Sequence, residues 1–598
     1  MSGESFSNAP SAPHASGVPN GSADQPFDLL VIGGGINGCG IARDAAGRGL
    51  SVMLVEQDDL ASATSGWSSK LIHGGLRYLE YYQFRLVAES LAEREVLLRA
   101  APHLIEPLQF VIPHEPHQRP RWMIRAGLYL YDFLGGKKTV PASKSVVLQG
   151  SAMGAGLKAA YTNGFSYYDA RADDARLTIL NARGAADLGA VIAPYTRFVS
   201  AAAAPHAGPA AQHPPTSNHT AAPGHGSAPN LWRITLQDVA TLTQSVCHAR
   251  AIVNAAGPWV MRVLGGVKGT KPSAERVRHV KGSHIVVPRV HAGEHAYLLQ
   301  HRDNRIVFVI PFHDQFTLIG TTDIAVEAWE QPAISDDETR YLCAIASEYL
   351  EHPLTPADVL WSYSGVRPLY DDGRANASAI TRDYVLKLDP SAGAPLLNVF
   401  GGKLTTYRRL AEHALAKLAP HFPDRPRGMI AWTAGAPLPG GDFSGGLAAL
   451  EAGLQQAYPF LPPAHLHGIA KRHGTRARLW LGAAQRLEDL GEHFGAGLYA
   501  AEADHMMAAE WARPGVEAVR YGEGGAGYSS GQDRSGQAGI EPSSIESRNE
   551  NEDHRTQHTR MEPARTHNTD GVLMRRSKCG LFMTPEQKAR VSAYLNPP

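Results

Sequence analysis

The sequence predicts an α/β fold in three parts: a domain of parallel strands assembled from separated segments, a β-rich cap threaded between them, and an α-helical C-terminal domain. Three observations carry this expectation. Phe27 to Glu56 reads as strand, glycine turn, helix and strand, and strand-to-turn runs recur at 251–257 and 397–417. From about residue 430 the pattern shifts to helices with Leu/Ala stripes, such as Leu447, Leu450 and Leu454.

The opening element is the most specific. Leu29 to Ile32 is an apolar run short enough for one buried strand, and Gly33, Gly35 and Gly38 follow with G-x-G-x-x-G spacing. Gly33 permits the tight turn, Gly35 lets a pyrophosphate approach the backbone, and Gly38 lets the helix pack close to the strand. The helix from Ile36 to Arg48 presents free N–H groups and a partial positive charge to phosphate, and it stops at Gly49. Val52 to Val55 is the second strand, and Glu56 ends it where an acid can accept hydrogen bonds from ribose hydroxyls. A glycine motif alone means little in a chain with 60 glycines. The full strand–turn–helix–strand–acid order within one βαβ unit makes this a Rossmann-like dinucleotide site.

Composition bounds the rest. A chain of 598 residues suggests about two to four domains. Lys plus Arg equals Asp plus Glu at 57 each, so no global field favours nucleic acid. Four scattered cysteines without a C-x-x-C pair fit a reducing compartment and no disulfide framework. Residues 1–26, rich in Ser, Ala, Pro and Gly, read as a disordered leader without a signal core. No run reaches the ~20 apolar residues that span a bilayer, so the chain is expected in the cytosol or on a membrane surface.

After Glu56 a small-residue loop leads to a helix from Phe84, with Val87 and Leu91 on one face and Glu93 and Arg94 elsewhere; Pro102 ends it. Ile105 to Pro113 could be a strand. Arg119 to Lys138 mixes Trp122, Tyr129, Tyr131 and Phe133 with cations. It reads either as a buried cap helix or as an amphipathic element in a membrane interface, and the two readings can hold on different faces. His114 and His117 flank Pro116, which disfavours a helical metal site, and no metal is expected. Asp174 to Leu188 reads as helix and Ala190 to Tyr195 as strand. Ser200 to Pro229 cannot bury a core and is expected to be a flexible loop between strands. Strands follow at 283–287, 306–310 and 317–319, then a helix at 336–351 capped by Ser335 or Asp336. Leu397 onward repeats the strand, glycine turn and helix, with the helix at about 405–417. The Gly401-Gly402-Lys403 turn lacks the first glycine of a P-loop. Residues 522–571 read as a disordered insertion, and Thr584-Pro-Glu-Gln587 as a capping box that restarts helix.

The expected partition is 27–104, 151–280 and 352–420 for the nucleotide domain, 105–150 and 281–351 for the cap, and 430–598 for the helical domain. A nucleotide domain in pieces suits an extended FAD better than NAD.

Seven motifs in one order carry a resemblance: IGGGINGCGIARDAAGRG, TSGWSSKLIHGGLRYLE, KGSHIVVPR, FVIPFHDQFTLIGTTD, SYSGVRPL, AITRDY and FGGKLTTYR. The chain resembles the FAD-dependent (aerobic, quinone-linked) glycerol-3-phosphate dehydrogenases from Phe27 to about His413, and more loosely beyond. The resemblance implies a D-amino-acid-oxidase-type FAD-binding fold and oxidation of sn-glycerol 3-phosphate to dihydroxyacetone phosphate. It also implies electron transfer to membrane quinone, a homodimer, and peripheral attachment to an anionic surface on the inner face of the cytoplasmic membrane. It points to Arg77, Tyr78, Thr321, Arg382 and Lys403 around substrate, with Arg367 or His284 handling the hydroxyl proton. It points to Gly33, Gly35, Gly38, Glu56, Ser68, Ser69, Lys70, Ala256, Gly257, Gly402, Leu404 and Thr405 around FAD. Converging cations suit a phosphate dianion. An oxidase using O2 and a non-catalytic flavin sensor are the alternatives.

Overall fold

The computed structural model describes residues 21–116, 118–136, 138–204, 230–271, 275–302, 305–371, 383–424, 429–513 and 569–596. β1 (Phe27–Ile32) is buried along its whole length, as a strand covered on both faces must be. α1 (Ile36–Gly47) and β2 (Val52–Val55) complete the opening unit. The first sheet forms around β1, which pairs in parallel with β2 on one side and with the Gln244–Asn254 strand on the other. The latter strand is the splice of the domain. Its first half pairs antiparallel with Leu231–Asp238, and its last three residues pair in parallel with the Leu396–Phe400 strand. Separated segments thus meet in one sheet. α1 and the helices Asp174–Asp187 and Tyr407–Leu418 bring side chains such as Ile41, Ile179 and Leu410 into the core on one of its faces.

The second sheet has ten strands and is mostly antiparallel. Here the expected partition shifts. The Asn163–Ala172 strand pairs with Ile105–Pro113 over nine positions, and Trp361–Tyr370 pairs with Val277–Pro288 over ten. Asn163–Ala172 and Trp361–Tyr370 lie in segments expected in the nucleotide domain, and both pair into this second sheet. Each pairing joins strands distant in sequence, which periodicity alone does not encode. The helix Asp336–Tyr349 covers one face of this sheet through Leu342, Ile345 and Tyr349. Ser335 is its N-cap, in a full capping box with Glu338.

Phe84–Ala100 forms the expected helix α2, with Val87 and Leu91 buried. Glu93 and Arg94, off that apolar face, are also buried. Glu93 pairs with Arg408, and Arg94 pairs with Asp169. Ser200 to Ala204 continue a strand that begins at Thr196; the rest of the expected loop, the 522–568 part of the expected insertion, the leader before residue 21 and His117 lie outside the described residues.

The C-terminal domain is helical, as expected, with Gly446–Ala457, Pro463–His473, Ala500–Glu510 and Pro585–Leu595 as its main helices. The last carries the Thr584/Gln587 capping box. Two buried ion pairs, Arg176 with Glu510 and Arg576 with Asp59, dock this domain, and a half-buried one, Lys471 with Glu106, joins it to the cap.

Candidate functional site

A cavity of about 710 Å³ runs from the glycine turn after β1 to the cap sheet, within the size range of cofactor and ligand sites. At one end the turn leaves no room for side chains. Gly33 has φ +116°, and a Cβ there would lie 2.5 Å from the Ala255 carbonyl oxygen. A Cβ on Gly38 would lie 1.9 Å from the Gly33 carbonyl oxygen. Gly35 is the N-cap of α1 and lines the cavity, so the helix start faces the space directly. Glu56 also lines it. Its Oε2 accepts from the Gly34 amide at 2.7 Å and its Oε1 from the Asp58 amide at 2.9 Å. Burial, and then the neighbouring Asp58 charge, push this carboxyl up to about 7, against the two amide bonds. The acid therefore shapes the turn as well as facing the cavity, and an ionised carboxylate keeps lone pairs for a further donor.

Midway, Ala256, Gly257, Ser68, Ser69, Gly402, Leu404 and Thr405 all line the cavity. Gly402 has φ +103°, a left-handed turn that brings backbone to the wall. Thr405 Oγ1 accepts from the His73 amide at 3.1 Å and so ties this turn to the segment after Ser69. Lys70 departs from expectation. Its Nζ donates to Asp174 Oδ1 at 2.7 Å and to the Gly66 carbonyl, buried away from the cavity lining. Asp174 also accepts from the Ser68 amide and hydroxyl, so Lys70 buttresses the loop and its ammonium does not face the cavity.

At the cap end, Arg77, Tyr78, His284, Thr321, Arg367 and Lys403 all line the same space. Arg367 projects from the Trp361–Tyr370 strand, with NH1 3.1 Å from Asp323 Oδ1 and NH2 3.2 Å from Thr321 Oγ1. Gly282 on the facing strand makes room for it, since a Cβ there would sit 2.6 Å from the Arg367 NH2. His284 is 2% exposed, stacks on Tyr363 with ring centroids 4.8 Å apart, and shares a hydrogen bond with Ser69 Oγ through Nε2 at 2.9 Å. Burial, and then the positive charges of Arg367 and Lys70, hold its pKa well below the usual histidine range. The ring is neutral at neutral pH. Lys403 Nζ lies 3.9 Å over the Tyr78 ring, a cation–π contact. Arg382 lies outside the described residues.

Sequence reasoning missed Asp323, Gly282 and Trp67, which also line the cavity. Asp323 was within reach, being two residues after Thr321 in a quoted motif.

An elongated cavity with a side-chain-free helix start at one end and cations at the other fits an extended dinucleotide with a charged substrate beside it. Comparison with known proteins agrees. Residues 28–408 match the FAD dependent oxidoreductase family. The chain is 44% identical to a glycerol-3-phosphate dehydrogenase of Pseudomonas aeruginosa, over 97% of this chain and 96% of that one. It is 45% identical to the aerobic glycerol-3-phosphate dehydrogenase of Escherichia coli, over 82% and 92%. It belongs to the FAD-dependent glycerol-3-phosphate dehydrogenase family.

The cofactor of this family is FAD. The fold is of the same kind: a glycerol-3-phosphate dehydrogenase from Bacillus halodurans, solved with FAD, superposes with a TM-score of 0.60 at 25% identity, covering 82% of this chain and 85% of that one. The sequence-based expectation of a D-amino-acid-oxidase-type FAD fold holds. A D-erythritol 1-phosphate dehydrogenase of Brucella abortus is 47% identical over 81% of this chain and 92% of its own length. Similar sequences in this family therefore carry names for different polyol phosphates.

Proposed function

We propose that this flavoenzyme oxidises sn-glycerol 3-phosphate to dihydroxyacetone phosphate and passes the electrons to membrane quinone. The observation that carries the reading is the Arg367 fork, held by Asp323 and Thr321 in the cavity that also presents Arg77, Lys403 and a neutral His284. Bound FAD supplies the acceptor for the hydride that leaves the substrate carbinol. The protein's own residues handle the remainder. Arg77 and Lys403 supply positive charge for the phosphate dianion, and Arg367 polarises the hydroxyl oxygen as its proton leaves. His284 accepts that proton, with Ser69 Oγ on its Nε2. Gly33, Gly35 and Glu56 hold the adenosine and pyrophosphate half, while Gly402, Leu404 and Thr405 hold the flavin half.

The quinone reading is supported by an exposed aromatic face. On α3 (Arg121–Leu134), Trp122 is 70%, Tyr129 58% and Phe133 64% exposed, and Arg121 is exposed beside them. Aromatic and basic residues on one helix suit the interface of an anionic bilayer. No described helix is long and apolar enough to cross a membrane.

The test is anaerobic reduction of the bound flavin by glycerol 3-phosphate, followed by a soluble quinone analogue. Bleaching and recovery are expected. Bleaching by D-erythritol 1-phosphate but not by glycerol 3-phosphate would reassign the substrate, and recovery only with O2 would make the enzyme an oxidase. Sedimentation with phosphatidylglycerol vesicles at low salt tests the membrane face; a Trp122→Ser, Phe133→Ser variant that binds as well as the parent would refute it.

A further inference from the structure

Arg77 and Tyr78 sit on a short 3-10 helix, Leu76–Tyr81, in which no residue is buried. Leu76, Tyr78 and Leu79 pack only partly buried against the cap core, so the segment's exact place in the cavity wall also depends on how its start is held. The start is Gly74-Gly75. The Gly74 amide donates to the Tyr131 hydroxyl at 2.8 Å, and more weakly to Asp169 Oδ1 at 3.3 Å. The Tyr131 hydroxyl donates in turn to the Asp169 carboxylate at 2.8–2.9 Å. Asp169 also takes Arg94 NH1 at 3.0 Å. Tyr131 and Asp169 are 2% and 1% exposed, and none of these three groups lines the cavity.

The fit is tight. A Cβ on Gly74 would lie 2.5 Å from the Tyr131 hydroxyl oxygen and 2.6 Å from Leu91 Cδ2. Gly75 has φ +75°, and a Cβ there would meet the Tyr78 ring at 2.1 Å. One residue earlier, the His73 amide is bound to Thr405 on the flavin-side turn. The segment is therefore pinned between the two halves of the molecule: to the FAD domain through Thr405, and to the cap through Tyr131 and Asp169.

Tyr131 comes from α3, the helix whose other face is exposed. Only Leu128 and Tyr131 of that helix are fully buried. Leu128 packs in the apolar core of the cap. Tyr131 is the one of the two that bonds to the segment leading to the site.

We infer that Tyr131 and Asp169 are positioning residues, which by holding the Gly74 amide set Arg77 and Tyr78 against the cavity for capture of the substrate phosphate. The inference rests on the substrate reading above for its ligand, but not for its geometry.

The test uses the full FAD-loaded enzyme. Tyr131→Phe removes the hydroxyl while keeping the ring, and leaves the Asp169–Arg94 pair in place. The expected result is a rise of about tenfold in the glycerol 3-phosphate concentration that half-saturates flavin reduction. The limiting rate and FAD content should stay within about twofold. Amide exchange in residues 73–83 should speed up by a similar factor, since one protecting bond is gone. Leu128→Ala, on the same helix without a polar link, should lower Tm and leave half-saturation unchanged. That separates positioning from a loss of packing. Unchanged half-saturation in Tyr131→Phe, or unchanged exchange at 73–83, overturns the inference. If the parent flavin is not reduced by glycerol 3-phosphate at all, the substrate reading fails by itself. Exchange at 73–83, with and without inorganic phosphate, then decides the positioning role.

Discussion

Replacing Arg367 with lysine is the most informative perturbation of the proposed chemistry. The guanidinium makes two fixed contacts, to Asp323 at 3.1 Å and Thr321 at 3.2 Å, and still faces the cavity. A planar fork can do all three because its donors diverge in one plane. A lysine ammonium is a single point, and its attraction to Asp323 would draw it away from the substrate oxygen. Removing one preorganised donor from a developing oxyanion typically costs a factor of about 10²–10³ in rate, or about 2.7–4 kcal/mol. The Arg367 side chain is 27% exposed, so water screens part of this interaction and the lower end is expected, about 10²-fold. Stopped-flow reduction of the flavin under anaerobic, saturating glycerol 3-phosphate measures this step directly. FAD content should not change, because Arg367 lies at the cap end of the cavity. Asp323→Asn should cost less, about tenfold, since Thr321 still holds one arm of the fork. A lysine variant within threefold of the parent rate would show that the guanidinium does not stabilise the transition state.

Other outcomes follow from the same geometry. His284 is held well below the usual histidine pKa by burial, Arg367 and Lys70, so kcat/KM should show no acid limb near pH 6.5 from this group. A limb at that pH that vanishes in His284→Asn would refute its placement as a neutral base. Gly38→Ala puts a methyl 1.9 Å from the Gly33 carbonyl oxygen, and the protein is expected to purify without FAD, read from the 450 nm band. Glu106 is held at about 2 by Lys471 and Arg171 despite burial, below its ordinary 4.5. A depressed carboxylate contributes stability that is present above the unfolded pKa and lost as pH falls through the folded one. Docking of the C-terminal domain on the cap should thus weaken between pH 4.5 and 2. Glu106→Gln should remove on the order of 2 kcal/mol of that dependence, and identical acid melts for the two proteins would exclude the pair.

What was legible in the sequence was local. The β1–α1–β2 unit could be read because strand, turn glycines, helix and acid lie within one short stretch, and every rule that identifies them acts over a few residues. The pairings of the cap sheet were not legible because its longest one joins Val277 to Tyr370 and Val286 to Trp361, and neither strand's own pattern names its partner. The same gap hides the partners of buried charges. The family resemblance points to Lys70 as an FAD contact, yet its carboxylate partner lies 104 residues away. Glu93 and Arg94 lie off the apolar face of their helix, and nothing near them in sequence names Arg408 and Asp169, the partners they are buried with.

α3 shows where ambiguity in a sequence can reflect the molecule itself. Its aromatics read either as a buried cap helix or as a membrane-interface element, and the helix has an inward and an outward face. Leu128 and Tyr131 turn inward, while Trp122, Tyr129 and Phe133 face out. Sequence composition cannot single out Tyr131, because a tyrosine two positions away has the same chemistry and the opposite exposure. What distinguishes it is a buried carboxylate from another strand and a glycine amide 57 residues earlier. A helix read only as an anchor would predict that its substitutions alter membrane binding and nothing else. The Tyr131 contacts predict a second effect, on substrate capture, confined to one residue of that helix.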